Sequence, residues 1–303
     1  MKIAVIGVGY LGRFHALKYA SMEDVDLIGV VDIDPSRAHQ IAQEAGTDSY
    51  TSPDGILDHL DAVSIAVPTS VHADVAIPFL EKGIAVLLEK PISARIEDAV
   101  SIINAAQKGN AVLQIGHLER FNPALKKLKS SIRRPMFIEA HRISPFRQRG
   151  ADVDVILDIM IHDIDIILSL VGSSVESVES VGVPVLTGSV DIANARIKFA
   201  SGCIANITAS RVSADVMRKI RIFQSDSYIS IDFAKSAVDI YTLTEQKTID
   251  HTHLTMDDSD ALASEIRSFV DAVRDKGIVE VDGQAGLKAI EMAYLIKDRM
   301  IVP

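Results

Sequence analysis

The 303-residue chain has no tryptophan, a single cysteine and only 5% aromatic residues. One cysteine, Cys203, excludes an internal disulfide framework and a cysteine-rich zinc ribbon, and it suits a reducing compartment, so a cytoplasmic location is expected. No apolar run reaches the ~18 residues of a membrane span. The longest candidate, residues 156–171, is interrupted by Asp158, His162, Asp163 and Asp165. The opening MKIAVIG is too short for a signal h-region and runs straight into glycines. Positive charge is also in deficit, with 31 Lys+Arg against 41 Asp+Glu and a net charge of −10. That balance argues against nucleic acid or an anionic membrane as partner, while leaving room for a local basic pocket. What is present is an ordinary globular mixture of 48% apolar and 24% charged residues. At ~150 residues per domain the length suggests about two domains.

Residues 1–120 alternate between two periods. Apolar runs at 3–6, 26–31, 62–67, 84–88 and 111–115 read as strands, and helical patterns at 12–20, 36–45, 71–82 and 96–108 lie between them. Strands that are apolar throughout and alternate with helices indicate a parallel sheet covered on both faces. After residue 120 the character changes. A very apolar helix at about 155–170 is followed by runs of strict alternation at 192–199, 203–210, 219–224 and 228–233. These read as an antiparallel sheet with helices on one side. Helices at about 260–275 and 284–300 end the chain. The expected class is α/β: a doubly wound parallel-sheet domain over 1–120 and an α+β domain with an open, mostly antiparallel sheet over 121–303. A sheet covered on one side leaves its other face to a second subunit, so a homodimer or homotetramer through that sheet is expected.

Gly7-Val8-Gly9-Tyr10-Leu11-Gly12 is a GxGxxG that follows the first strand and opens a helix. The first glycine permits the tight turn, the second lets backbone approach a pyrophosphate, and the third lets helix and strand pack closely. The helix start then offers unpaired N–H groups and the positive end of its dipole to the phosphates. Asp32 ends the second strand, 20 residues after Gly12, where an acid grips the ribose hydroxyls. That carboxylate, with Asp34, repels a 2′-phosphate. Arg37 is the nearby cation that leaves NADP open, and NAD is the expected cofactor.

Further pieces recur in a fixed order: Val67-Pro68-Thr69-Ser70-Val71-His72 after the third strand, Glu89-Lys90-Pro91 after the fourth, and Asp158-x-x-x-His162-Asp163 on the apolar helix. This layout resembles the glucose–fructose oxidoreductase / inositol dehydrogenase / MocA family over essentially the whole chain. The resemblance implies an NAD(P)-dependent oxidoreductase of sugars, inositols or sugar nucleotides. It implies Lys90 and His162 as the catalytic pair, Asp158 as an aid to substrate placement, and Pro68, Thr69, His72 and Glu89 on the nicotinamide side. It also implies a cis peptide before Pro91 that aims Lys90 into the cleft. The sequence departs from many members at 148–154, where a glycine-rich stretch is reduced to the single Gly150.

The residues support that chemistry on their own terms. Oxidising a secondary alcohol removes a hydride from carbon and a proton from oxygen. A histidine, with an ordinary pKa of ~6.5, is a suitable base at neutral pH. Lys90 offers a cation beside the oxygen. Asp158 stands four residues before His162, on the same helix face. The spacing leaves open which of Lys90 and His162 takes the proton, with His162 the preferred base. A metal reading from Asp158, His162 and either His117 or His141 lacks a third ligand at a recognisable spacing, so no metal is expected. His15 reads equally as packing under the loop or as a cofactor contact, and His251 and His253 as surface residues.

Two segments bear on the substrate. Arg120, Phe121 and Asn122 follow the fifth strand, and Arg142 and Arg147 lead toward the catalytic helix. Arginines suit bidentate phosphate binding, and Phe121 or Phe146 suits stacking on a base. Within the family these runs are similar to the branch that oxidises the 3-hydroxyl of UDP-N-acetylglucosamine, giving a 3-keto sugar nucleotide for the 2,3-diamino sugar of lipid A. The alternatives are a dehydrogenase of a free sugar or inositol, a biliverdin-reductase-like reductase, and an NAD-binding sensor without turnover.

Overall fold

The computed structural model describes residues 1–146, 154–256 and 260–302. The chain divides into two compact units, Met1–Leu118 with Asp260–Leu287, and Glu119–Ser259 with Lys288–Pro303. The sequence reading placed one division at residue 120, whereas the chain passes from the first unit to the second after Leu118, returns to the first at Asp260 and re-enters the second at Lys288.

The first unit runs β1 (Lys2–Ile6), α1 (Tyr10–Ala20), β2 (Asp26–Val31), α2 (Pro35–Ala45), β3 (Ser49–Tyr50), β4 (Ala62–Ile65), α3 (His72–Glu81), β5 (Ala85–Glu89), α4 (Ile96–Gly109) and β6 (Leu113–Gly116). Its six strands are parallel in the order β3-β2-β1-β4-β5-β6. β4 and β5 are buried at every residue, in keeping with sequences that are apolar except for Ser64 and Glu89. The order reverses between β1 and β4, which is the switch point where such sheets bind ligands at their carboxyl ends. Local signals agree with the fold. Asp34 caps α2 by accepting from the N–H groups of Ser36 and Arg37, Pro35 occupies its first turn, and Gly46 ends it in the left-handed region at φ +69°.

The second unit opens with α5 (Pro123–Leu128) and β7 (Phe137–Ile143), then a π-helical turn at Ile156–Met160 that runs into α6 (Ile161–Val171). β8 (Val175–Val183), β9 (Ile192–Phe199), β10 (Ile204–Ser210), β11 (Met217–Phe223), β12 (Ser227–Asp232), β13 (Ala237–Leu243) and β14 (Ile249–Thr255) follow. The chain ends through α7 (Ala261–Asp275), α8 (Gly283–Asp298) and β15 (Met300–Ile301). The nine-stranded sheet has the order β14-β13-β12-β11-β7-β10-β9-β8-β15. It is antiparallel except for the pairs β7/β10 and β8/β15. The alternation in β9 buries Ala193, Ala195, Ile197 and Phe199 and turns Asn194, Arg196 and Lys198 outward.

α7 was expected in the second domain, but its Ile266, Phe269 and Val270 join the core formed by Ile3, Val5, Tyr19, Val30 and Leu87 of the first unit. Among the described residues no helix is long and apolar enough to cross a membrane.

Candidate functional site

The glycine loop has the geometry its sequence asks for. Gly7 sits at φ +81°, and a Cβ on Gly12 would lie 1.8 Å from the Gly7 carbonyl oxygen, so neither position accepts a side chain. A Cβ on Gly9 would meet nothing within 4 Å, so the backbone there faces open space. Gly9 is the N-cap of α1 and supplies no side-chain cap, which leaves the first N–H groups of that helix for a ligand. Tyr10 is exposed and Leu11 half-buried on the first turn.

Asp32, only 6% exposed, ties this loop to the end of β2. Its Oδ2 accepts from Val8 N at 2.9 Å and its Oδ1 from Asp34 N at 3.0 Å. Arg37 Nη1 lies 3.4 Å from Oδ1, and its other terminal nitrogen is 3.5 Å from Asp34. The crowded Gly7/Gly12 turn, the uncapped helix start and the acid together fit a dinucleotide: backbone for the diphosphate and a carboxylate for a ribose.

The next two strand ends bring a second group together. A Cβ on Gly7 would strike Val67 and the Ala66 carbonyl, so the segment leading to Pro68 and Thr69 packs against the glycine loop. Pro68 is exposed and Thr69 half-buried. His72 was expected to line the nicotinamide, but it is 1% exposed and serves as a clamp. Its Nε2 lies 3.0 Å from the Val67 carbonyl and its Nδ1 3.0 Å from that of Pro91. It thereby joins the loop after β4 to the loop after β5. Burial pushes its pKa down against those carbonyl contacts. Lys90, half-buried, directly follows β5, and the Lys90–Pro91 peptide is cis, as the resemblance implied.

Glu89, before Lys90, points inward. It is 8% exposed and accepts from His15 Nε2 at 3.0 Å and from Lys90 N at 3.3 Å. His15 is fully buried, with Nδ1 2.9 Å from Ser64 Oγ, so it belongs to packing beneath the loop. A cavity of about 620 Å³ lies at the opposite, amino edge of this sheet, lined by Asp61, Gly83, Val112 and Gly283, away from these residues.

In the second unit Asp158 lies on the π-helical turn and His162 on the first turn of α6, both half-buried. The expected continuous α-helix is widened there, a distortion often found at functional positions.

The arginines and their neighbours differ from expectation. Arg142 is 6% exposed, donating from Nε and Nη2 to Asp163 (2.8 Å at the shorter) and from Nη1 to Glu119 at 2.6 Å. Burial works to lower its pKa, but the two carboxylates outweigh that and hold the guanidinium firmly protonated. It is a buried structural cation, not the exposed phosphate ligand expected. Arg120 pairs with Asp165 at 3.3 Å and is largely covered. Phe121 is a core side chain, 1% exposed, with the Lys126 ammonium 5.0 Å from its ring centre, and so is not offered to a base. Asn122 caps α5 by accepting from Ala124 N. Arg147 and the glycine-poor stretch 148–153 lie outside the described residues. His251 and His253 are exposed as expected, each bonded to Asp239.

The sequence reading missed Glu265, which α7 carries into the first unit with no exposure at all. Its signal was helical phase: Glu265 shares the buried stripe of Ile266, Phe269 and Ala272.

Two family profiles match the chain: the oxidoreductase family with an NAD-binding Rossmann fold over residues 1–117, and the GFO/IDH/MocA C-terminal domain over residues 125–230. UDP-N-acetylglucosamine 3-dehydrogenase of Acidithiobacillus ferrooxidans is 39% identical over 98% of this chain and 96% of that protein. Its solved structure aligns with a TM-score of 0.94 and 38% identity, over 99% of this chain and 97% of the other. Myo-inositol 2-dehydrogenase of Thermotoga maritima is 26% identical over 98% of this chain and 95% of that protein. Levoglucosan dehydrogenase in complex with NADH shares the fold, with a TM-score of 0.88 at 18% identity over 99% of this chain and 96% of the other.

Proposed function

The chain belongs to the GFO/IDH/MocA family of oxidoreductases and is an NAD-dependent dehydrogenase, and from that premise we propose that it oxidises the 3-hydroxyl of UDP-N-acetylglucosamine to the 3-keto sugar nucleotide. The observation that carries this reading is the full-length likeness, in sequence and in fold, to the Acidithiobacillus enzyme. An aminotransferase would consume the product and yield a 2,3-diamino sugar.

NAD⁺, when bound, accepts the hydride released from the carbinol carbon. The backbone of Gly7–Gly12 and the start of α1 hold its diphosphate, and Asp32 holds a ribose. The carboxylates of Asp32 and Asp34 repel a 2′-phosphate, and Arg37 is already shared between them, which favours NAD over NADP. Pro68, Thr69 and the loop clamped by His72 form the nicotinamide side. His162 takes the hydroxyl proton, Lys90 places its ammonium against the charge growing on that oxygen, and Asp158 orients the imidazole or a neighbouring hydroxyl.

The enzyme works in the cytoplasm as a homodimer or homotetramer through the open face of the nine-stranded sheet. That face carries a row of directly paired side chains across five strands: Phe137, Phe223, Tyr228, Tyr241 and His251, with successive ring centres 5.5, 4.8, 5.4 and 4.3 Å apart. Half-buried aromatics in such a row suit burial against a second copy. A monomeric mass by sedimentation at micromolar concentration would contradict it.

The test of activity couples the protein, UDP-N-acetylglucosamine and NAD⁺ to an aminotransferase with glutamate, reading NADH and the amino sugar. Lys90→Ala and His162→Ala are each expected to lower kcat by ~10²–10⁴. Turnover of free sugars or inositols in place of any UDP-sugar would remove the substrate assignment. Unchanged function in both variants would point to a sensor.

A further inference from the structure

Beneath the glycine loop the first unit encloses a group of ionisable side chains that the chemistry above leaves unused. α1 contributes His15 and Tyr19, β4 Ser64, β5 Glu89 with Lys90 beyond it, β6 Gln114 and α7 Glu265. Tyr19, Ser64, His15, Gln114 and Glu265 are all fully buried. Tyr19 Oη lies 3.2 Å from Ser64 Oγ, which lies 2.9 Å from His15 Nδ1, and His15 Nε2 donates to Glu89 at 3.0 Å. Gln114 Nε2 donates to the backbone carbonyl of Glu265 at 3.2 Å, which fixes α7 against β6. A nitrogen of His15 and one oxygen each of Glu89 and Glu265 all lie within 4.8 Å of one another.

The two carboxyls are not equivalent. Glu89 accepts two hydrogen bonds, one from an imidazole and one from a backbone amide. Neither oxygen of Glu265 has a hydrogen-bond partner among the described residues. Two carboxylates this close in a dry interior do not both ionise, and the charge goes to the one with donors. We propose that Glu265 carries the single proton of this cluster and is a positioning residue for Glu89, and through Glu89 for the backbone of Lys90. The surroundings of each carboxyl act the same way. Burial, with the Glu89 charge added, drives the Glu265 pKa well above the usual carboxylate range. Burial also works to raise Glu89, but the His15 hydrogen bond and the charges of His15 and Lys90 hold it below that range.

The consequence is positional. While Glu89 is ionised, its Oε2 is a strong acceptor for the Lys90 N–H, at the strand end that carries the lysine. A proton on Glu89 would weaken that bond. The protonated acid on α7 places a polar but uncharged group beside Glu89 in the interior, with no second negative charge there, so a residue far along the chain, and in contact with no substrate, bears on the state of the segment that carries Lys90. The kinetic consequence rests on the dehydrogenase reading above, whereas the location of the proton does not.

Infrared difference spectra of the full-length protein, wild type against Glu265→Gln at neutral pH, test the proton directly. The carbonyl stretch of a buried protonated carboxyl is expected in the wild type and absent in the variant. Its persistence in Glu265→Gln would overturn the proposal, as would one equivalent of a divalent metal in the purified protein, because a cation would then replace the proton. The second arm follows kcat/KM for NAD⁺ against pH. In Glu265→Leu the acid limb is expected to move up by about one pH unit as Glu89 becomes easier to protonate. Glu265→Gln, which retains a polar neutral group, keeps the wild-type limb. An unmoved limb in a folded Glu265→Leu protein would reduce Glu265 to packing and overturn the positioning role. If no substrate turns over, NAD binding against pH, read by cofactor fluorescence, takes the place of the kinetic arm.

Discussion

Each unit of this molecule buries acidic side chains, and the two neutralise them by different means. In the second unit Asp163 and Glu119 close on Arg142, whose guanidinium lies between them with good hydrogen-bond geometry. In the first unit Glu89 has a histidine as its partner and the nearby Glu265 has none, and among the described residues no arginine joins them. A guanidinium is charged at every working pH, so the Arg142 cluster is a fixed girder. A proton can leave, so the charge of the Glu265 cluster is set in part by the solution. The girder joins β7 to α6, the helix of His162. The titratable cluster lies behind the strand end of Lys90. Sequence composition treats these acids alike, and their neighbours separate them.

The hardest blow to this contrast is Arg142→Met. It leaves two carboxylates buried without a cation and is expected to cost about 3–5 kcal/mol, read as a lower urea midpoint at unchanged slope. A triple variant with apolar residues also at Glu119 and Asp163 should recover most of that loss. A single variant within ~0.5 kcal/mol of wild type would mean that the cluster is not structural.

A smaller effect, of opposite sign, is expected for Glu265→Gln. The folded protein keeps the Glu265 proton, whereas the unfolded chain releases it near pH ~4.3. Wild-type stability therefore falls, from this group, as pH rises from that value to the raised folded pKa, by about 1.4 kcal/mol per unit of difference, and then levels off. The glutamine variant lacks this loss. Its advantage should be absent in mild acid and grow toward neutrality, which paired urea titrations at several pH values would show.

The smallest effect isolates burial without any charged neighbour. Cys203, 1% exposed in the second unit, has its thiol pushed up to about 11 by burial alone. A thiol reagent should label it only at the rate of unfolding, with little acceleration on moving from neutral to mildly alkaline pH. Rapid labelling of the native protein would remove this reference point.

Contiguous signals in the sequence led directly to the structure. The glycine loop, Asp32, the mostly apolar parallel strands and Glu89-Lys90-Pro91 are local patterns whose meaning depends on a few adjacent residues. The failures share a physical cause, which is pairing at a distance. Arg142 was expected at a ligand because a guanidinium suits bidentate phosphate binding. In β7, however, it falls on the same phase as Ile138 and Ala140, and that alternation buries it. Phe121 looked like a stacking surface and went into the core for the ordinary reason that a large aromatic gains more there. The return of α7 to the first unit has no local signature, since its anchor, Gln114 to Glu265, spans 151 residues. The parallel pairing of β7 with β10 is invisible for the same reason, because alternation shows which side faces the core and not which strand lies alongside.

That pairing has a consequence for how the protein is made. β7 lies in the middle of its sheet, yet both of its neighbours, β10 and β11, follow it by long stretches of chain. During synthesis β7 therefore leaves the ribosome with two open edges and must wait while the π-helical turn, α6, β8 and β9 are produced. The hairpins on either side can close locally, but the sheet cannot join into one until β10 and β11 are delivered. The nascent second unit thus passes through an interval of unsatisfied strand edges, when it is most in need of a chaperone.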